Sequence, residues 1–288
     1  MMLETLERTA PAVHALASED PVFDRTWFTR ARIAELRTRF AAAEPFPHLV
    51  LDNLFNAALL DLVVGEFEQM GLGDWVRYDS PDEVKRGTRP AAELGPAAQA
   101  YFDAIHRAAF LGFLSEVTGI AGLIPDPTLK GGGLHEVPSG GRFGVHIDFE
   151  KHPVTLLDNR LVMITYLNKD WDPAWGGGLQ LWSAAENRCV KSVEPVFGRT
   201  ILFAHSSTSL HGHPEPIQAP AGRARRSIAA YFYTNGRPDG DTQGRLTTRF
   251  HTPVLYGPWG RTLLAVKYVT PPALVQLAKW TRRKLRRR

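Results

Sequence analysis

The sequence predicts a mostly β core, a sandwich or barrel of short strands, with helical segments before and after it. Two observations carry that expectation. From about residue 125 the chain breaks into short apolar or alternating segments separated by Gly, Pro, Asn and Asp. Before about residue 120, apolar residues recur at helical spacing instead.

The 288 residues are 44% hydrophobic and 22% charged, enough to bury one sizeable core. With 7 Trp, 15 Phe and 7 Tyr to bury, a disordered chain is excluded. The one cysteine, Cys189, excludes an internal disulfide framework, which fits a reducing cytoplasm. No apolar run reaches the ~20 residues of a membrane span. The N-terminus has neither a basic region nor a long apolar stretch, so no signal peptide is expected. The net charge of +4 comes from residues 282–288, which hold six Arg or Lys. The rest is close to neutral, so a general nucleic-acid surface is not expected.

Helices are expected over 3–17 and 25–43, the second capped by Asp24 or Thr26. Pro45 and Pro47 break that pattern, and His48-Leu49-Val50-Leu51 reads as a short strand. A helix over 56–70 starts at Asn56 and carries Leu59, Leu60, Leu62, Val63 and Phe67. Another spans 96–118, with Gly119 as its stop. Strands are expected near 130–137, 142–149, 161–168, 178–183, 189–194, 199–205, 210–213 and 226–234. Segments 70–95 and 235–260 read as loops which, with 150–160, border the mouth of a site. Residues 271–288 read as a basic helix. The expected division is an N-terminal helical segment over 1–45, a β domain with supporting helices over 46–240, and a C-terminal extension over 241–288.

The segment GGRFGVHIDFE alternates, so His146 and Asp148 share one face of a strand. Imidazole plus carboxylate suits Fe(II), and two His with one carboxylate leave three coordination positions open on one side. Two of those accept a chelating 2-oxoacid and the third O2. A polar strand face produces the same His-x-Asp pattern without any metal, so the pair is weak on its own. For a third ligand, FGRTILFAHSSTSLHGHPEP offers His205, His211 and His213, and residue types leave all three open.

A 2-oxoacid with a distal carboxylate needs a cation at the far end of its pocket, and Arg suits that grip. In RARRSIAAYFYT, Arg225, Ser227, Ala229 and Tyr231 share one strand face, and Arg226, Ile228, Ala230 and Phe232 the other. The small residues 227 and 229 leave room for a ligand on the Arg225 face. Tyr166, late in an apolar strand, needs a partner for its hydroxyl. A carboxylate near Arg225 supplies one, while a plain core Tyr is the competing reading.

In order, HIDFE, LVMITYLNKDWDPAWGGGLQLW, GRTILFAHSSTSLHGHPEP and GRARRSIAAYFYT resemble the prolyl 4-hydroxylase-like group of Fe(II)/2-oxoglutarate oxygenases. YLNKDWD before a Gly-Gly-x-Leu-x-Leu strand is similar to the animal oxygen-sensing prolyl hydroxylases. The resemblance covers about 130–235, and PFPHLVLDNLF looks like the usual lead-in. It implies a double-stranded β-helix, the cupin-like jelly roll, with flanking N-terminal and C-terminal helices. It implies His146, Asp148 and His211 as iron ligands and catalytic centre. It further implies Arg225 and Tyr166 on the 2-oxoglutarate carboxylate, Leu179 lining that pocket, and Tyr231 as the aromatic residue six positions after the Arg. The implied reaction is a 2-oxoglutarate-dependent dioxygenase reaction. It hydroxylates an unactivated C–H, consumes O2 and releases succinate and CO2, with ascorbate as a stimulant. The alternative on the same fold is a non-catalytic metal- or ligand-binding module. One departure concerns specificity. Related prolyl hydroxylases often have Tyr about ten residues before the first His, and this chain has His135 and Glu136 nearby. The resemblance therefore carries the reaction class and leaves open whether the substrate is a small molecule or is bound to a carrier or peptide. For the tail KWTRRKLRRR, a solvated helix is favoured over contact with an anionic membrane or nucleic acid.

Overall fold

The structure, a computed structural model, describes residues 21–251, which fall within one compact unit. The expected helices over 3–17 and 271–288 lie outside the described residues. Four α-helices are described: α1 (Arg30–Ala41), α2 (Ala57–Glu66), α3 (Pro96–Ile105) and α4 (Ala108–Thr118). None of the described helices is long and apolar enough to cross a membrane. The strands are β1 (His48–Asp52), β2 (Trp75–Asp79), β3 (Glu83–Thr88), β4 (Ile124–Pro125), β5 (Gly133–Pro138), β6 (Arg142–Ile147) and β7 (Asp158–Tyr166). They continue with β8 (Leu179–Ser183), β9 (Arg188–Val193), β10 (Arg199–Ala204), β11 (Leu210–His213), β12 (Ala224–Thr234) and β13 (Arg249–Phe250).

The sheet runs β1-β10-β7-β12-β5-β3-β6-β11-β8-β9, with β2 on β3, β4 on β12 and β13 on β6. The pairings are antiparallel. β3 bonds to both β5 and β6 and so joins a larger half of the sheet to a smaller one. The halves face each other: Val162, Tyr166, Ile201 and Phe203 of the larger pack with Leu179, Leu181 and Val193 of the smaller. This nearly closed jelly roll is the double-stranded β-helix.

Strand alternation sends the other set of side chains outward. Leu161, Met163, Leu202, Ile228, Ala230 and Phe232 join Leu36, Phe40, Leu60, Tyr101, Phe110 and Phe113 of the helices in the main core. The helices thus cover one face of the larger half, and the opposite face is left to line the interior.

Four details depart from the sequence expectations. The 25–43 segment is a short 3-10 turn capped by Asp24, then α1 capped by Thr29 rather than Thr26. The helix expected over 56–70 ends at Glu66. The 96–118 segment breaks at His106 and Arg107, where Arg107 leaves helical geometry and α4 starts afresh. Both short helices place aromatic residues, Tyr101 and Phe102 of α3 and Phe110 and Phe113 of α4, in the main core. Finally, segment 70–95 is not a loop, for β2 and β3 form a hairpin within it, and β13 lies within 235–260.

Candidate functional site

β6 and β11 pair with His146 directly opposite His211. The strands come close because Gly212 faces Gly144 there, where an added Cβ would stand 2.6 Å from the Gly144 carbonyl oxygen. The two imidazole centroids are 4.3 Å apart. Asp148 follows β6 and completes the group. One donor atom from each of His146, Asp148 and His211 lies within 4.8 Å of the others, and all three residues are buried.

Hydrogen bonds fix which ring nitrogens face inward. His146 Nδ1 lies 2.7 Å from the Gly144 carbonyl, and His211 Nδ1 lies 2.9 Å from that of Ser209. A carbonyl can only accept, so both Nδ1 atoms donate and both Nε2 atoms keep a lone pair. Those lone pairs converge on Asp148, 3.3 Å from Oδ1 and 3.5 Å from Oδ2. His146 Nε2 and Asp148 Oδ2 are buried without a hydrogen-bond partner. Left alone, such atoms are costly, and a cation among them removes the cost. Burial pushes His146 down to about 4, so its imidazole is neutral, the form that binds a metal. Two imidazole nitrogens and a carboxylate fit Fe(II).

The other two candidate histidines stand elsewhere. His205 follows β10 and reaches the Asp148 backbone carbonyl at 3.2 Å, where it steadies the segment that carries Asp148. His213 is buried and lines the cavity, but it is outside the converging group.

Arg225 enters the same cavity from β12. Its Nε donates to the Gly177 carbonyl at 2.7 Å, and Nη2 donates to the Tyr166 hydroxyl at 3.4 Å. Gly177 has φ +76°, and an added Cβ would meet Arg225 Cδ at 3.1 Å, so only glycine holds the arginine this way. Arg225 is 5% exposed, yet no ion pair among the described residues involves it. Arg226 points the other way and donates to Glu136 at 2.9 Å, beside Arg86, which meets the same carboxylate at 2.7 Å.

Val162, Ile164, Leu179, Ser227 and Ala229 line the cavity around Arg225. Tyr231 also lines it, but at the metal end: burial and then the Asp148 charge raise its phenol well above the usual range. His135 and Glu136 separate onto opposite faces of β5, His135 into the cavity and Glu136 onto the Arg86–Arg226 pair.

Sequence reasoning missed Lys85. It lines the cavity from β3, with Nζ 3.4 Å from the Phe143 ring centroid. Burial holds its amine down to about 8. The available signal was the pair of short runs WVRYD and EVKRGT flanking Ser80-Pro81-Asp82, a turn sequence.

Residues 132–233 match the model of the 2OG-Fe(II) oxygenase superfamily. The fold is similar to a Trichoplax adhaerens prolyl hydroxylase solved with a hypoxia inducible factor peptide fragment, at 17% identity and TM-score 0.52. That match covers 75% of this chain and 94% of the other. A Phytophthora capsici prolyl 4-hydroxylase is similar at 19% identity and TM-score 0.50, over 78% of this chain and 65% of its own. Identities this low speak for the fold alone. The family match over 132–233 and the prolyl 4-hydroxylase-like fold together support an Fe(II)- and 2-oxoglutarate-dependent oxygenase.

Proposed function

We propose that His146, Asp148 and His211 hold the Fe(II), that Arg225 and Tyr166 hold the distal carboxylate of 2-oxoglutarate, and that the enzyme hydroxylates an unactivated C–H. The observation that carries this is the pairing of two features in one cavity. Three buried donors converge at one end, and a buried arginine with no protein carboxylate stands at the other. When bound, iron with 2-oxoglutarate and O2 supplies oxidative decarboxylation to succinate and CO2 and puts one oxygen atom into the substrate.

The chain's own residues do the positioning. Arg225 compensates the distal carboxylate, and the Tyr166 hydroxyl, beside Arg225 Nη2, donates to it. Val162, Ile164 and Leu179 form an apolar wall that keeps water from the co-substrate. Ser227 and Ala229 give it room. Carbonyls of Gly144 and Ser209 hold both imidazoles in the metal-binding tautomer. A metal-binding module without turnover would have no use for the Arg225–Tyr166 clamp. We also infer a cytoplasmic location from the single cysteine, Cys189.

The test is Fe(II)-dependent succinate release from 2-oxoglutarate, with bound iron measured in parallel. His146→Ala and Asp148→Ala are expected to lose more than the ~100-fold that loss of a supporting hydrogen bond costs a metal site. Undiminished turnover in either variant would remove that residue from the ligand set.

A further inference from the structure

Lys85 is not used by the site as described so far. Its side chain is 11% exposed and lines the cavity. The ammonium lies over the Phe143 ring, whose centroid is 3.9 Å from that of His146. One aromatic ring therefore separates this charge from a proposed iron ligand. Its ion-pair partner is Glu83, at a loose 3.7 Å, which leaves the ammonium able to take a closer anion. The cavity lining carries three charged residues besides histidine: Lys85, Arg225 and Asp148. With Asp148 on iron and Arg225 on the co-substrate, Lys85 is the one charged residue of the lining without a ligand role, and its partner Glu83 is not part of the lining. Two further polar atoms of the lining, His135 Nε2 and His213 Nδ1, are buried without hydrogen-bond partners. β3 pairs with β2 along one edge, and along the other it meets β6 at Glu83 and Val84 and β5 at Arg86 and Gly87, so Lys85 stands between the points where those two strands join it.

We propose that Lys85 is the specificity-determining residue of this oxygenase: it binds an anionic group, carboxylate or phosphate ester, of a small primary substrate. This rests on the ligand and co-substrate assignments made under Proposed function. Lys85 acts there as a compact, strongly hydrated point charge that a desolvated anion would neutralise.

The experiment separates a protein-free, low-mass cell extract by anion exchange into retained and unretained fractions. Each is incubated with the full chain, Fe(II), 2-oxoglutarate and O2, and mass spectrometry looks for products heavier by one oxygen. Phosphatase treatment of the retained fraction tells phosphate esters from carboxylates. The product is expected from the retained fraction. For that compound, Lys85→Met should raise KM by about 10- to 100-fold, the scale of a lost charged hydrogen bond, and Lys85→Arg should recover part of the loss. Anaerobic calorimetry on the Fe(II)- and 2-oxoglutarate-loaded protein should show the same loss in affinity without turnover. A product from the unretained fraction alone, an unchanged KM in Lys85→Met, or no product from either fraction while the chain binds 2-oxoglutarate would each overturn the proposal. An equal loss of 2-oxoglutarate affinity in Lys85→Met would overturn it too, since Lys85 would then serve the co-substrate. A wild-type chain that binds neither Fe(II) nor 2-oxoglutarate would sink the underlying site assignment, and the two failures are thereby distinguished.

Discussion

Arg225 and Arg226 are adjacent in sequence and opposite in circumstance. Arg226 faces outward and meets Glu136, which Arg86 also holds. Arg225 faces the interior and has a carbonyl, a phenol and no carboxylate among the described ion pairs. The same division runs through the whole sheet. The outer face of β12 gives Ile228, Ala230 and Phe232 to a core shared with the helices. The inner face gives Arg225, Ser227, Ala229 and Tyr231 to a cavity. One face is finished by the protein itself, and the other is arranged for guests. Stability and ligand affinity should therefore respond to different mutations.

Arg225→Ala should raise the KM for 2-oxoglutarate by about 100-fold, because it removes one partner of a desolvated charge pair. Arg226→Ala should leave that KM unchanged within about 3-fold and cost below about 1 kcal/mol of stability, since its pair is partly solvated. The reverse ranking in steady-state kinetics would show that the two faces have been exchanged. On the outer side, Phe113→Ala should lower unfolding stability by about 3–5 kcal/mol in chemical denaturation while 2-oxoglutarate affinity holds. Tyr166→Phe should weaken co-substrate binding by about 10-fold, the worth of one hydrogen bond to a charged group, with little change in unfolding. Gly177→Ala sharpens the comparison further. Its left-handed backbone should cost about 1–3 kcal/mol, and displacement of Arg225 should show as a raised KM rather than a lowered kcat.

The smallest expected effect is on pH dependence. Burial, then the nearby Lys85 charge, holds His135 down to about 3, far below an unfolded histidine near 6.5. Between those values the unfolded chain binds the extra proton and the folded one does not, so stability falls as pH is lowered from about 6.5 towards 3. Denaturation midpoints of the metal-free protein should fall over that window. His135→Asn should flatten the slope, and an unaltered slope would mean that His135 is not a contributor.

Much of the jelly roll was legible because its strands alternate between a dry core and a lined cavity, and period-two alternation survives in the letters. The face carrying Arg225 could be read from Ser227 and Ala229, small residues where a core strand would place large ones. The β2–β3 hairpin was not legible for the same physical reason. Glu83, Lys85 and Arg86 are half-buried through ion pairs and ring contacts, so no apolar period marks them. Nor could types alone separate His205, His211 and His213, all three buried. What distinguishes them is the register that sets His211 opposite His146, a pairing between segments 65 residues apart that exists only in three dimensions. The break at His106 and Arg107 carries no Gly or Pro, and only the extended backbone at Arg107 reveals it.

That same register has a consequence for synthesis on the ribosome. A nascent chain that has emerged as far as residue 150 has two of the three converging donors and no strand to oppose them. Until β11 arrives, β6 lacks one of the neighbours it has in the finished sheet, a bare edge of the kind that invites pairing with other chains. Under the proposed ligand assignment, tight iron capture comes after this pairing rather than before it. Metal-loaded protein is then protein whose two distant halves have already found each other.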